Sequence, residues 1–411
     1  MTRIEYAIGE LCSFAKGASI PRDRMFDSGE YLYLHYGDLY SGHDLYIDVR
    51  SPQKRIPYIK SSERVKDEQL VLTEDIVYIL TSETVDDLGK SLCVINAGSQ
   101  PIVSGTETTV VRIERKDIVN PRYLNYLFQT SRFKKTLQQY VTGMKVFRVH
   151  PRDIAKIAIS LPPLAEQQKI VNLLDAIHDK IMLNRRINDH LAVLLEAAYD
   201  GCLAHSSRIV PLGEVIKICS GGTPRTSVDE YWRDGQIPFF APGDVVDSVF
   251  SLSTAKHITK QGLANCNSDL YETGTVMLTA RGTVGKVTMA GAPMAMNQSC
   301  FALVGLGVPQ SVVFQAIKRV VRSLQAKANG ATFAAINIKD LETENVIVPS
   351  SKTLDRYSNF AEALLLQILE NEKESLELSQ IRDVLLPKLM SGEIDVSQVD
   401  LTQLNGHLSD N

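Results

Sequence analysis

From Ile170 onward, apolar positions return at alternating steps of four and three: Ile170, Leu174, Ile177, Ile181, then the polar pair Asn184 and Asn188, then Leu191, Leu195 and Ala198. This is the stripe of a helix that pairs with another helix, interrupted by polar groups at its middle. Residues 165–200 contain neither Gly nor Pro, Pro163 suits a first helical position and Gly201 suits a C-terminal stop. The spacing therefore predicts a helix about 54 Å long. A second run, residues 352–386, is equally free of Gly and Pro, with Ser350 or Ser351 as N-cap candidates and Pro387 closing it.

Adding 187 to each position of the first stripe gives Tyr357, Ala361, Leu364, Ile368, Asn371, Ser375, Leu378, Arg382 and Leu385, so that Asn184 falls on Asn371. A buried polar position weakens such a seam but penalises slipped registers. The two runs are thus expected to pair through Ile170, Leu174, Ile177, Ile181, Asn184 and Leu191 on one side and Leu364, Ile368, Asn371 and Leu378 on the other. The alternative is that each helix covers a separate globular domain.

The same offset relates the passages that precede the helices. "GMKVFRVHPRDIAKIAISLPP" from Gly143 and "GATFAAINIKDLETENVIVPS" from Gly330 align Asp153 with Asp340 and Pro162 with Pro349. Further upstream, "AIGELCSFAKGAS" from Ala7 resembles "PLGEVIKICSGGT" from Pro211, setting Gly17 against Gly221. Short strands are expected at 76–80 and 275–278. The chain reads as head, long helix, head, long helix: residues 1–160, 161–207, 208–350 and 351–395, with a polar tail over 396–411.

Charge changes this picture little. Net charge is -4, and each head carries a small excess of Lys and Arg, 22 against 20 in the first and 13 against 11 in the second. The acidic total comes from the helices and tail. Six scattered cysteines without a Cys-x-x-Cys pair suggest neither a zinc site nor a disulfide framework. Arg3, Glu5 and Glu10 break any signal-like apolar run, and no stretch is apolar enough to cross a membrane, so a cytoplasmic protein is expected.

No catalytic constellation emerges. "TVDDLGKS" from Thr84 and "ARGTVGKV" from Ala280 lack the first Gly of a phosphate loop. The eight histidines form no metal or triad motif, and His178 and His190 read as solvated helical residues. "LPPLAEQ" lacks the polar residue that would hold an amine in a methyltransferase.

The heads instead offer polar and basic groups near glycines and turns, of the kinds that hydrogen-bond base edges or anchor phosphates. In the first head these are Lys16, Ser19, Arg22, Arg24 and Tyr36, the last in a cluster with Tyr33 and His35. The second has Thr223, Arg225, Arg281, Lys286, Asn297 and Gln298. Lys145, Arg148 and Arg152 before the first helix, and Lys339 before the second, are candidate phosphate clamps.

With these residues in view, the chain resembles the specificity subunit of type I restriction-modification enzymes along nearly its whole length. "LPPLAEQQKIVNLLD" from Leu161 is similar to the opening of that family's first conserved helix, and "LLPKLMSGEI" from Leu385 to its C-terminal signature. "GGTPRTSVDEYW", "IPFFAPGDV", "LTARGTVGKV" and "AMNQSCFAL" are similar to a common class of target-recognition domain. The resemblance implies an α+β protein: two similar mixed α/β target-recognition domains separated by two long helices that form an antiparallel coiled coil, an internal pseudo-two-fold repeat.

Each domain would read one half of a split site in double-stranded DNA. The subunit would be non-catalytic and hold no metal or cofactor. Two modification subunits would methylate adenine N6 with S-adenosylmethionine, and restriction or translocase subunits would use ATP and Mg. The competing readings are a self-contained DNA methyltransferase or nuclease, and a coiled-coil adaptor that binds no DNA.

Overall fold

The computed structural model describes residues 3–50, 52–85, 87–96, 98, 100–205, 207–327 and 335–396. It comprises two compact units, one formed by the chain up to His178 together with the segment from Gln380 onward, the other by Asp179–Ser379. Both divisions fall inside long helices, Leu164–His205 and Ser351–Ser391.

The first unit is built on a five-stranded sheet in the order Cys12–Lys16, Thr108–Ile113, Ile76–Ile79, Ser91–Asn96, Tyr46–Asp48. Its first three pairings are antiparallel and the last is parallel. In the second unit the order is Ile216–Ser220, Cys300–Gly305, Val276–Thr279, Val287–Ala290, Phe250–Ser251, with the same sequence of directions. The central strands, "IVYI" and "VMLT", are buried at every position, which is why they read as apolar runs without alternation.

A smaller sheet repeats as well. Tyr31–Leu34 lies between antiparallel Tyr58–Ile59 and parallel Ile102–Ser104, and Ile237–Phe240 lies between antiparallel His257–Ile258 and parallel Ala295–Met296. Each unit also closes with a two-stranded ladder, Ile4–Ala7 against Ala158–Leu161 and Ser207–Pro211 against Asn345–Pro349. The fold class expected from the sequence is therefore present: the 187-residue echo of "IAISLPP" in "ENVIVPS" is the second strand of each ladder. Residues 330–334, which mirror the start of the first passage, and the tail from 397 lie outside the described residues.

Within the second unit the long helices run antiparallel. Asn184 Nδ2 donates to Asn371 O at 3.3 Å, Glu374 Oε2 at 2.7 Å and Ser375 Oγ at 3.2 Å, whereas Asn188 Nδ2 reaches back to Ile368 O at 3.2 Å. Further on, the Tyr199 and Tyr357 rings lie 5.3 Å apart, so the partner's number falls as the residue's number rises. Ile181, Asn184, Ile368 and Asn371 are buried, while Leu191, Leu364 and Leu378 are half-buried. In the first unit Ile170, Leu174 and Ile177 are buried.

Two helix ends differ from expectation. Gly201 does not stop the first helix, which continues to His205. No neighbour crowds a Cβ there and no left-handed backbone is required, so the glycine is merely tolerated. Pro387 lies inside the second helix, which ends at Ser391 before Gly392 at φ +81°. The broken hydrogen bond is offset by the last turn: Leu389 and Met390 are buried, and Arg3 Nη1 donates to Met390 O at 2.7 Å. A third correction concerns His178, which is not solvated; it is buried edge-on against Tyr46 at 5.2 Å, with Asp44 Oδ2 3.9 Å from its Nδ1.

Candidate nucleic-acid interface

Each unit carries part of its candidate set, Ser19, Arg22 and Arg24 in one and Thr223 and Arg225 in the other, on the segment that leaves the first strand of the five-stranded sheet. A glycine makes this exit possible. A Cβ on Gly17 would stand 1.9 Å from Gly105 O, and one on Gly221 would stand 2.1 Å from Asn297 O. Only glycine lets the two backbones approach so closely.

Beyond Gly17, Ala18 N donates to Ser104 O at 2.7 Å, and the buried Tyr33 hydroxyl donates to Ala18 O at 2.7 Å while accepting from Thr106 N at 3.1 Å. Tyr33 is thus a post under the loop, not a stacking surface. Ser19 Oγ accepts from Thr106 Oγ1 at 2.9 Å, and neighbouring Glu107 accepts from Arg148 Nη2 at 3.1 Å, which brings Arg148 to the same edge. Lys16 ends the strand and is exposed.

Arg22 Nη2 lies 3.3 Å from His35 Nδ1, which also accepts from Gly37 N at 3.1 Å and so caps the helix Tyr36–Gly42. Burial, and then the Arg22 charge, hold the His35 imidazole below its ordinary pKa. It is an acceptor that orients Arg22. The Tyr36 ring is 4.7 Å from His35, and Arg24 pairs with Glu63 at 3.3 Å. Lys145 and Arg152 are exposed and join neither group; Lys145 lies in the turn of a short hairpin closed between Thr142 and Arg148, and Arg152 opens the short helix Pro151–Ile154.

In the second unit the exit from Gly221 borders two clefts. One, of about 280 Å³, is lined by Thr223, Trp232, Lys256 and Asn297 among others. The other, of about 550 Å³, gathers Arg281, Gln298 and Lys339. Thr223 Oγ1 bonds Gln298 Oε1, joining the two. Ser299 N donates to Asn297 Oδ1 at 2.9 Å, which leaves the amide nitrogen as a donor. Arg225 is exposed, its carbonyl accepting from Trp232 Nε1 at 3.2 Å, and Lys286 pairs with Asp247 at 3.3 Å outside both clefts.

The sequence reading missed several groups. Arg50 and Arg55 line a cleft of about 460 Å³ in the first unit. Lys256 stands 5.7 Å from the Trp232 ring centre. No motif marks them, because strands distant in sequence assemble their surroundings. Conversely, Lys318 and Arg322 are held by Glu196 of the long helix at 3.5 and 2.6 Å, and Arg319 pairs with Asp200, so this basic run is structural. Lys90 of the near-miss phosphate loop donates to Tyr40 O at 2.9 Å and His43 O at 2.8 Å, so its ammonium is committed to the backbone.

Among the described residues no group of three or more His, Cys, Asp and Glu could hold a metal. The six cysteines are free, and burial pushes the Cys12, Cys93 and Cys300 thiols up to about 12. No helix among the described residues is long and apolar enough to cross a membrane.

Comparison with known proteins gives a consistent picture. The family described as type I restriction modification DNA specificity domain matches residues 4–192 and again 207–378. The chain is 22% identical to the HindI specificity subunit of Haemophilus influenzae, covering 95% of this chain and 99% of that one. It is 23% identical to the MjaIX specificity subunit of Methanocaldococcus jannaschii, covering 69% and 71%. Its fold is similar to that of a type I restriction-modification S subunit from M. genitalium, with a TM-score of 0.56 and 16% identity over 94% of this chain and 96% of that one.

Proposed function

Because the chain belongs to the type I restriction modification DNA specificity family, as a specificity subunit, we propose that each of its units reads one half of a bipartite duplex-DNA site. The observation that carries this reading is the repeated exit from the sheet: Gly17 leads to Ser19 and Arg22 as Gly221 leads to Thr223 and Arg225, on sheets of identical strand order. Arg, Gln and Asn there supply base-edge hydrogen bonds. Lys16, Lys145, Arg148, Arg152, Arg281 and Lys339 anchor phosphates and set the register on the duplex.

In this proposal the chain supplies no chemistry of its own. Two modification subunits transfer a methyl group from S-adenosylmethionine to adenine N6, and restriction subunits draw on ATP and Mg, all in the cytoplasm. The adaptor alternative is disfavoured by the match of both units to the DNA specificity domain family.

Replacing residues 1–160 by the corresponding head of another member, then sequencing methylated adenines in cells that also carry the modification subunit, tests the proposal. One half-site should change and the other persist. A change in both halves, or in neither, contradicts independent reading.

A further inference from the structure

Corresponding strands at the edge of the two five-stranded sheets are each gripped by a carboxylate carried on a long helix. In the first unit the edge strand is Tyr46–Asp48. The Tyr46 hydroxyl donates to Asp175 Oδ1, which also accepts from the Tyr126 hydroxyl at 2.8 Å, while Arg122 Nη1 donates to Asp175 Oδ2 at 2.7 Å. Asp175 belongs to Leu164–His205 and is only 8% exposed.

In the second unit the edge strand is Phe250–Ser251, and the acid is Glu372 of Ser351–Ser391. Its Oε1 accepts from Val249 N and its Oε2 from Phe250 N, both at 3.2 Å. Two different chemistries, phenols with a guanidinium and bare backbone amides, thus act on corresponding edge strands, from helix positions that the 187-residue offset does not equate. An edge strand exposes backbone groups that must be paired or solvated, and in the second unit the helix supplies the partner.

The grip is also close to the candidate interface. Ser251 ends the edge strand, and five residues on, Lys256 lines the cleft with Thr223 and Asn297. Between them Thr254 Oγ1 donates to Lys256 O at 2.7 Å and accepts from Phe239 N at 3.1 Å, so the connection is pinned and not slack.

We infer that Glu372 is a positioning residue for target reading, fixing the sheet edge from which the chain runs to Lys256 and the cleft of the second unit. The inference rests on the proposed bipartite reading. Hydrogen bonds to a buried carboxyl group are individually worth enough to hold a register, so their loss should be felt as relaxed base choice and not as lost chemistry.

The test uses the full chain assembled with its modification subunit. Methylation rates are measured on duplexes carrying the cognate site and single substitutions in either half. Glu372→Ala should lower discrimination by about tenfold in the half-site read by the second unit, leave the other half unchanged, and leave the rate on the cognate site within a few-fold. Glu372→Gln, which keeps one oxygen for the amides, should restore part of the discrimination, whereas Glu372→Met, of similar volume but with no oxygen to accept from them, should not; equal values for the two would reduce Glu372 to a packing role and overturn the inference.

Assembly of Glu372→Ala with unchanged discrimination in both halves would overturn the inference, as would equal loss in both. A wild-type enzyme that shows no two-part target would instead defeat the reading on which it rests.

Discussion

At the scale of single residues, the two units often solve one problem with different side chains. The turn before the central strand needs a left-handed residue: the second unit uses Gly274 at φ +87°, the first uses Glu74 at φ +73°. Glu74 accepts backbone strain and gains an ion pair with Lys116 at 2.6 Å. Glu372 shows a different cost. Burial pushes its carboxyl up to about 7, against an ordinary value of 4.5, despite the two amides it accepts from.

A raised acid pKa means that the folded chain holds the proton more tightly than the unfolded chain. The stability contributed by this group is therefore full below about pH 4.5 and lost as pH rises through about 7. Urea denaturation from about pH 4.5 to 8 should show the wild type losing stability relative to Glu372→Gln as pH rises. Parallel curves would show that the carboxyl ionises as freely folded as unfolded.

At the scale of elements, the long helices were the most legible part of the chain. Their 4-3 stripe, their freedom from Gly and Pro and the coincidence of Asn184 with Asn371 all follow from local periodicity. Their ends were not legible, because Pro387 survives only through burial of Leu389 and Met390 and the Arg3 contact, which lies far away in sequence. The polar middle of the stripe is a specific network: Asn184 donates to three acceptors, and Asn371 Nδ2 to Asn188 Oδ1 at 2.7 Å.

Asn184→Ala should therefore cost about 1–3 kcal/mol, read as a lower urea midpoint with an unchanged slope. A change within a few tenths of a kcal/mol would mean that the buried amide contributes nothing net. Asn184→Leu is expected to behave differently from Asn184→Ala, since it fills the seam while removing the group that opposes register slips.

At the scale of the whole molecule, the repeat is the organising fact: two units with the same strand order and directions, each sharing long helices that pass from one into the other. If those helices set the gap between half-sites, inserting one heptad in both adds about 10 Å, or roughly three base pairs of duplex. The preferred spacer should lengthen accordingly, as read from methylated adenines; an unchanged spacer would remove the helices from that role.

The sequence by itself determined the long helices, the duplication and the kinds of residue near Gly17 and Gly221, because periodicity, offset and glycine chemistry are properties of neighbours along the chain. Only the tertiary structure decided which cations are free and which are committed. Lys318, Arg319 and Arg322 are spent on Glu196 and Asp200, Lys90 on two carbonyls, while Arg281, Gln298 and Lys339 share a cleft. A charge becomes available or paired according to what long-range folding sets within a few ångströms of it, and that distance is not written in any local pattern.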